Sequence, residues 1–141
     1  MDHVRDLLAQ LYAAEPQVET YSRPEDVVIK LLPLRDKKVE QFVVLLVDNK
    51  NRLMGKRVVS RGTVDQTPVY PREIFRFAIL KQASGVILGH NHPGGDPAPS
   101  IQDQQLTEKI VKGGQILDIR VLDHVIVAKN GHFSFQAQGL L

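Results

Sequence analysis

Val39 to Asp48 reads Val-Glu-Gln-Phe-Val-Val-Leu-Leu-Val-Asp, and this run constrains the fold more than any other. It is rich in β-branched residues and apolar on both faces. A strand of that kind needs cover on both sides, so it belongs at the centre of a sheet flanked by helices. Its apolar core, Phe42 to Val47, is far too short to cross a bilayer, and no membrane association is expected. Asp48-Asn49-Lys50-Asn51 is a turn, and Leu53 to Arg61 is a second strand paired to the first as a hairpin. Lys50, Arg52, Lys56, Arg57 and Arg61 make this hairpin basic, with no acid from Lys50 to Val64. A solvated edge strand kept soluble by charge explains this better than a phosphate-binding surface.

Around this core the chain alternates. Val4, Leu7, Leu8, Leu11 and Tyr12 recur at helical spacing, predicting an amphipathic helix over Asp2 to Ala14. Its stripe is expected to pack on the core, and a homodimer through this helix is the alternative. Glu15 to Tyr21 reads as a connection. Arg23-Pro24-Glu25-Asp26 opens a second helix, which Pro33 stops near Leu32. A loop from Arg61 to Val69 leads to a helix starting at Tyr70-Pro71-Arg72-Glu73 and ending at Ser84-Gly85. Val86 to Gly89 is a short buried strand that runs straight into His90. Ser100 opens a helix to about Lys112, which Gly113-Gly114 is expected to terminate. Ile119 to Ala128 and His132 to Phe135 are strands joined at the Asn130-Gly131 turn. The sum is an α/β fold: a mixed β-sheet flanked by helices. The length of 141 residues suggests one domain, 1–141, with 1–20 an N-terminal helical extension.

The chemistry lies in Gly89 to Asp103, Gly-His-Asn-His-Pro-Gly-Gly-Asp-Pro-Ala-Pro-Ser-Ile-Gln-Asp. In extended chain, His90 and His92 point to the same side with Cα atoms ~6.5–7 Å apart, and Asn91 points away. Pro93-Gly94-Gly95 reverses the chain, and Pro97 and Pro99 stiffen its return. Asp103 then falls in the first turn of a helix, where its carboxylate can face back to the strand end. Two His and one Asp leave a fourth tetrahedral position open, as in catalytic zinc sites. A capping box of Ser100 and Asp103 also explains that pair, but it leaves the two histidines unexplained. Asn91 and Asp96 read as loop-fixing and turn-capping residues. His124, among Leu122 and Val125 to Val127, reads as a satisfied core histidine, or one that supports the ligands from behind.

The chain has no cysteine, which excludes disulfides, thiolate zinc sites and a cysteine nucleophile, and favours the reducing cytoplasm. The N-terminus carries no signal-peptide pattern. A net charge of +2 is too small to argue for nucleic acid by itself.

The stretch resembles the JAMM (JAB1/MPN/Mov34) metalloprotease motif, and more fully its bacterial RadC-like branch. The likeness rests on His90-Asn91-His92-Pro93, Gly95-Asp96-Pro97 and Pro99-Ser100 through Asp103. It also includes Glu40-Gln41-Phe42, Gly62-Thr63, Pro71-Arg72-Glu73-Ile74-Phe75 and Asp123-His124-Val125-Ile126-Val127. It covers roughly Arg23 to Gly139. Gly94 stands where the branch usually has Ser, which predicts a more flexible loop. The helix-hairpin-helix domain that often precedes the module is not in this sequence.

The resemblance implies a JAB/MPN sandwich related to the cytidine deaminases, whose own chemistry needs cysteine ligands this chain lacks. It implies Zn2+ held by His90, His92 and Asp103. Glu40 would act as general base and Ser100 as oxyanion donor, with a peptide or protein substrate cut at an amide or isopeptide bond. From the residues alone, Glu40 is equally well an ordinary charged residue at a strand start. Glu73 is its rival, but the helix dipole already explains that acid. Two other functions stay open: a DNA-associated hydrolase, suggested by the repair label of RadC-like proteins, and a non-catalytic interaction module.

Overall fold

The computed structural model describes residues 2–13, 19–62 and 68–141. The expected connection over Glu15 to Tyr21 falls largely, and the loop from Arg61 to Val69 mostly, outside the described residues. Among the described residues five strands form one sheet: β1 (Gln41–Val47), β2 (Leu53–Arg61), β3 (Gly85–His92), β4 (Arg120–Ala128) and β5 (Gly131–Ser134). Their spatial order is β2-β1-β3-β4-β5. Only β3 and β4 run parallel, joined through a helical crossover; the other pairs are antiparallel. The mixed sheet flanked by helices matches the expected α/β architecture.

The alternation of β1 divides the core in two. Phe42, Val44 and Leu46 face the helices α3 (Pro71–Leu80) and α4 (Ile101–Leu117), packing with Ile74, Phe75, Ala78, Leu106 and Ile110. Val43, Leu45 and Val47 face α2 (Pro24–Leu31) and the 3-10 turn Leu32–Asp36, packing with Val27, Leu31 and Leu34. Each of these six β1 side chains is at most 2% exposed, so the strand is covered on both sides as its composition requires. The basic strand β2 lies at the sheet edge, and Lys56, Arg57 and Arg61 are exposed there. That is the arrangement in which charge discourages edge-to-edge pairing.

The helix α2 ends at Leu31, close to the expected stop, and Pro33 sits in the first turn of the 3-10 segment that follows, where its missing N–H costs nothing. Two expectations are corrected. Gly113-Gly114 does not end α4, which continues to Leu117 and closes on Asp118 in the left-handed conformation, φ 56° and ψ 37°. The two glycines serve close packing instead. A Cβ on Gly113 would come 2.7 Å from Phe75 Cε2, and one on Gly114 would come 2.4 Å from the carbonyl oxygen of Ile119. The N-terminal helix α1 (Asp2–Ala13) does not bury its stripe in this core: Val4, Leu7, Leu8 and Leu11 are all about half exposed. Among the described residues no helix is long and apolar enough to cross a membrane.

Candidate metal centre

The strand β3 is longer than its apolar run suggests. It carries both histidines inside the ladder, with His90 paired to Ile126 and His92 to Ala128 of β4. Period-two alternation puts both rings on the face covered by α3 and α4. On the other side of β3, Phe42 pairs with His90. The antiparallel register therefore brings the chain two residues before Phe42 beside His92, and that residue is Glu40. The turn that follows β3 is closed by the Gly95 N–H donating to the His92 carbonyl at 3.1 Å, with Gly95 at φ 97°. The chain then returns through Asp96, whose carboxylate accepts from Ala98 N–H at 2.9 Å, to Ser100 at the N-cap of α4.

Asp103 arrives by local capping. Its N–H donates to Ser100 Oγ at 3.0 Å, and its Oδ2 accepts from Ser100 N–H at 2.9 Å. This capping box turns the carboxylate back toward the strand end. Asp103 Oδ1 lies 3.3 Å from His90 Nε2, and Oδ2 lies 3.1 Å from His92 Nε2. The two Nε2 atoms are 3.0 Å apart. Glu40 Oε1 completes the group, 3.6 Å from His92 Nε2 and 4.0 Å from His90 Nε2. His90 is fully buried, Asp103 2% exposed, and Glu40 and His92 only 12% and 17% exposed.

The surroundings leave these atoms free to face one another. His92 Nδ1 donates to the Asp96 carbonyl at 2.9 Å, so in its neutral form the ring turns an unprotonated Nε2 inward. His90 Nδ1 is 2.7 Å from His124 Nε2. Converging lone pairs and carboxylates repel unless a cation lies among them. Protons reveal that preference. Burial opposes the charged form of His92, but the Asp103 carboxylate and the Asp96 carbonyl outweigh it and raise the ring's pKa. Burial likewise disfavours ionised Asp103, yet the neighbouring His90 and His92 rings hold the carboxyl well below the usual range. Glu40, His90 and His92 form a group able to hold a metal ion, with ligand atoms within 4.8 Å of one another. The nitrogen-and-carboxylate donor set suits zinc.

Two shells of residues position the group. Phe42 stacks on His90, with ring centroids 5.6 Å apart. Behind His90, the His124 ring stacks on Phe135 at 4.7 Å, and its Nδ1 is 2.6 Å from Thr107 Oγ1. Burial pushes the His124 pKa well below its ordinary value, so the ring is neutral. His124 is thus a buried histidine with both ring nitrogens in hydrogen-bond contact, directly behind His90. Thr107 went unrecognised in the sequence, although it follows Asp103 by four residues and so shares its helix face. Asn91, fully buried on the opposite face, donates to the Val39 carbonyl at 3.2 Å and accepts from Gln41 N–H at 2.6 Å. Glu73 sits in the first turn of α3 and is half exposed, outside the group. His132 is exposed on β5.

The group opens into a groove of about 680 Å³ lined by Lys38, Glu40, Gly62, His92, Gly94 and Ala98 among others. It lies beside the loop between β3 and α4, with Gly62 just past the end of β2 on its wall.

A mixed sheet with this crossover, carrying His-x-His at a strand end above a Ser/Asp-capped helix, defines an α/β domain of the JAB/MPN class. The profile of the RadC-like JAB domain matches residues 21–140, and the chain belongs to that family. A UPF0758 protein of Methanosarcina barkeri is 39% identical over 133 residues, covering 94% of this chain and 58% of the relative. One from Trichlorobacter lovleyi is 48% identical over 108 residues, 77% of this chain and 47% of the relative. One from Geobacter sulfurreducens is 44% identical over 124 residues, 87% and 54% of the two chains. The chain spans about half the length of these relatives.

Proposed function

We propose that this domain is a zinc-dependent hydrolase of the JAMM type that cuts a peptide or isopeptide bond. The observation that carries the reading is the convergence of His90 Nε2, His92 Nε2 and the Glu40 and Asp103 carboxylates at the wall of an open groove. Distances divide the two acids. Asp103 lies at 3.1 and 3.3 Å from the imidazole nitrogens and Glu40 at 3.6 and 4.0 Å, which supports Asp103 as the third ligand with Glu40 reaching in from outside. Zinc in such a site supplies a nucleophilic water at neutral pH and a Lewis acid for the scissile carbonyl.

The protein's own groups carry the protons. Glu40 accepts the proton of the attacking water and delivers it to the leaving amine. Ser100 Oγ already accepts from Asp103 N–H, which leaves its hydroxyl hydrogen to donate to the developing oxyanion. The exposed position of Ser100 lets a substrate carbonyl reach it. The groove passing Glu40, Gly62 and Gly94 is the path for an extended polypeptide.

The test is a screen of peptide and isopeptide substrates with the zinc-loaded protein, using Glu40→Gln as control. Hydrolysis that needs both zinc and Glu40 is expected. Zinc-independent hydrolysis, or no zinc bound at about one per chain, would overturn the proposal.

A further inference from the structure

Three buried residues behind the centre form a chain of hydrogen bonds whose direction follows from the Thr107 hydroxyl. Thr107 Oγ1 donates to the carbonyl oxygen of Asp103 at 2.7 Å. A hydroxyl has one hydrogen, so the 2.6 Å contact between Thr107 Oγ1 and His124 Nδ1 requires His124 Nδ1 to be the donor. His124 is fully buried and flanked by Phe135 and Phe42, where a second proton would put an unsolvated charge in the core. Its Nε2 is then an acceptor, and the 2.7 Å contact with His90 Nδ1 must be a donation from His90. A neutral His90 with its proton on Nδ1 has a bare lone pair on Nε2, the atom that faces His92 and Asp103.

We infer that Thr107 and His124 are positioning residues that set the tautomer of His90 and keep its Nε2 lone pair turned toward the metal position. This rests on the metal-site reading above. The chain starts at the backbone of one proposed ligand, Asp103, and ends on the ring of another. With the Thr107 hydrogen on the Asp103 carbonyl, the chain has one consistent polarity. Reversing it would put a proton on His90 Nε2, 3.0 Å from His92 Nε2, and a ring protonated there cannot ligate. A Thr107 hydroxyl that donates to the Asp103 carbonyl opposes that reversal, because its one hydrogen is then committed away from His124.

Thr107→Val and Thr107→Ser separate the hydroxyl from the shape of the side chain. Nitrogen-15 NMR on the metal-free protein at one fixed pH reports which ring nitrogens carry hydrogen. In the unsubstituted protein and in Thr107→Ser, His90 is expected as the Nδ1–H form and His124 as the Nδ1–H form. In Thr107→Val, His124 loses its acceptor, and both rings are expected to gain Nε2–H population. Zinc affinity by chelator competition should fall about 10- to 100-fold in Thr107→Val and stay near normal in Thr107→Ser. His124→Gln, whose amide can donate to Thr107 and accept from His90, should recover most of the affinity that His124→Phe loses. An Nε2–H His90 in the unsubstituted protein, or an unchanged tautomer and affinity in Thr107→Val, would overturn the inference. Failure of the unsubstituted protein to bind zinc would instead remove the metal-site reading, while the NMR result still decides the tautomer.

Discussion

Asn91 holds Gln41 across fifty residues of sequence: its Oδ1 accepts the Gln41 N–H at 2.6 Å, and its Nδ2 donates to the Val39 carbonyl at 3.2 Å. The peptide units on both sides of Glu40 are thus clamped by one buried amide that sits between the two histidines in β3. Asn91→Ala leaves the Gln41 N–H and Val39 carbonyl without this partner, a loss of about 1–3 kcal/mol. Its effect on hydrolysis should exceed its effect on zinc affinity, because Glu40 moves while His90, His92 and Asp103 stay. Denaturation midpoints, zinc titration and turnover on a cleaved peptide separate the three effects. A zinc affinity that falls as far as turnover would show that Asn91 acts on the ligands instead.

Glu40→Gln keeps the size of the side chain but removes the base. Zinc content should remain near that of the unsubstituted protein, while turnover drops by roughly 10²–10⁴. Elemental analysis of the purified variant checks the first half. Loss of the metal would make Glu40 a ligand, the assignment that its grouping with His90 and His92 also permits.

Zinc uptake should strengthen as pH rises toward and through the pKa of His92. In the metal-free protein that pKa is raised by Asp103 and Asp96 against the effect of burial. The stabilisation gained by protonated His92 is complete below the unfolded value of about 6.5 and disappears as pH climbs through the raised folded value. Asp103, held low by His90 and His92 against burial, contributes above the unfolded value of about 3.9 and loses its contribution only as pH falls through the depressed one. Between these limits a proton occupies the place of the metal. Calorimetry in buffers of different ionisation enthalpy should therefore detect proton release on zinc binding near pH 6.5, fading at higher pH. Release that stays constant up to pH 9 would contradict this account.

Gly114→Ala should destabilise the protein more than Gly113→Ala. The added methyl at 114 meets a backbone carbonyl at 2.4 Å, whereas at 113 it meets the edge of the Phe75 ring at 2.7 Å. A ring can rotate or shift; the Ile119 carbonyl is tied to the start of β4. Overpacking of this kind costs about 1–3 kcal/mol, against a helix-propensity gain of about 1 kcal/mol for Ala over Gly. Gly113→Ala is accordingly expected near neutral and Gly114→Ala clearly destabilised. Urea unfolding of the two variants compares them directly.

Much of the fold was readable because its signals are local. The doubly apolar β1, the Pro71 helix start and the hairpin turn before Gly131, which the structure places one residue earlier at Lys129-Asn130, each declare themselves within a few residues. The misreadings share a cause as well. Gly113-Gly114 carries the composition of a helix stop, but here the missing side chains admit Phe75 and Ile119. The stripe on α1 has the period of a core-facing helix, yet Val4, Leu7, Leu8 and Leu11 stay exposed. Periodicity shows that a face is apolar and says nothing of what covers it.

The centre divides along the same line. Sequence alone determined that His90 and His92 share one side of a strand, since alternation is a property of the extended backbone. It also determined that Ser100 and Asp103 close on each other at a helix start, since a capping box spans only three residues. Tertiary structure decided the rest. The pairing of Phe42 with His90 brings Glu40 to the histidines, and the parallel register of β3 with β4 sets His124 behind His90. Packing of α4 on the sheet brings Thr107 to His124. A one-residue slip in either register would turn these side chains to the other face, and no pattern within a single segment specifies that alignment.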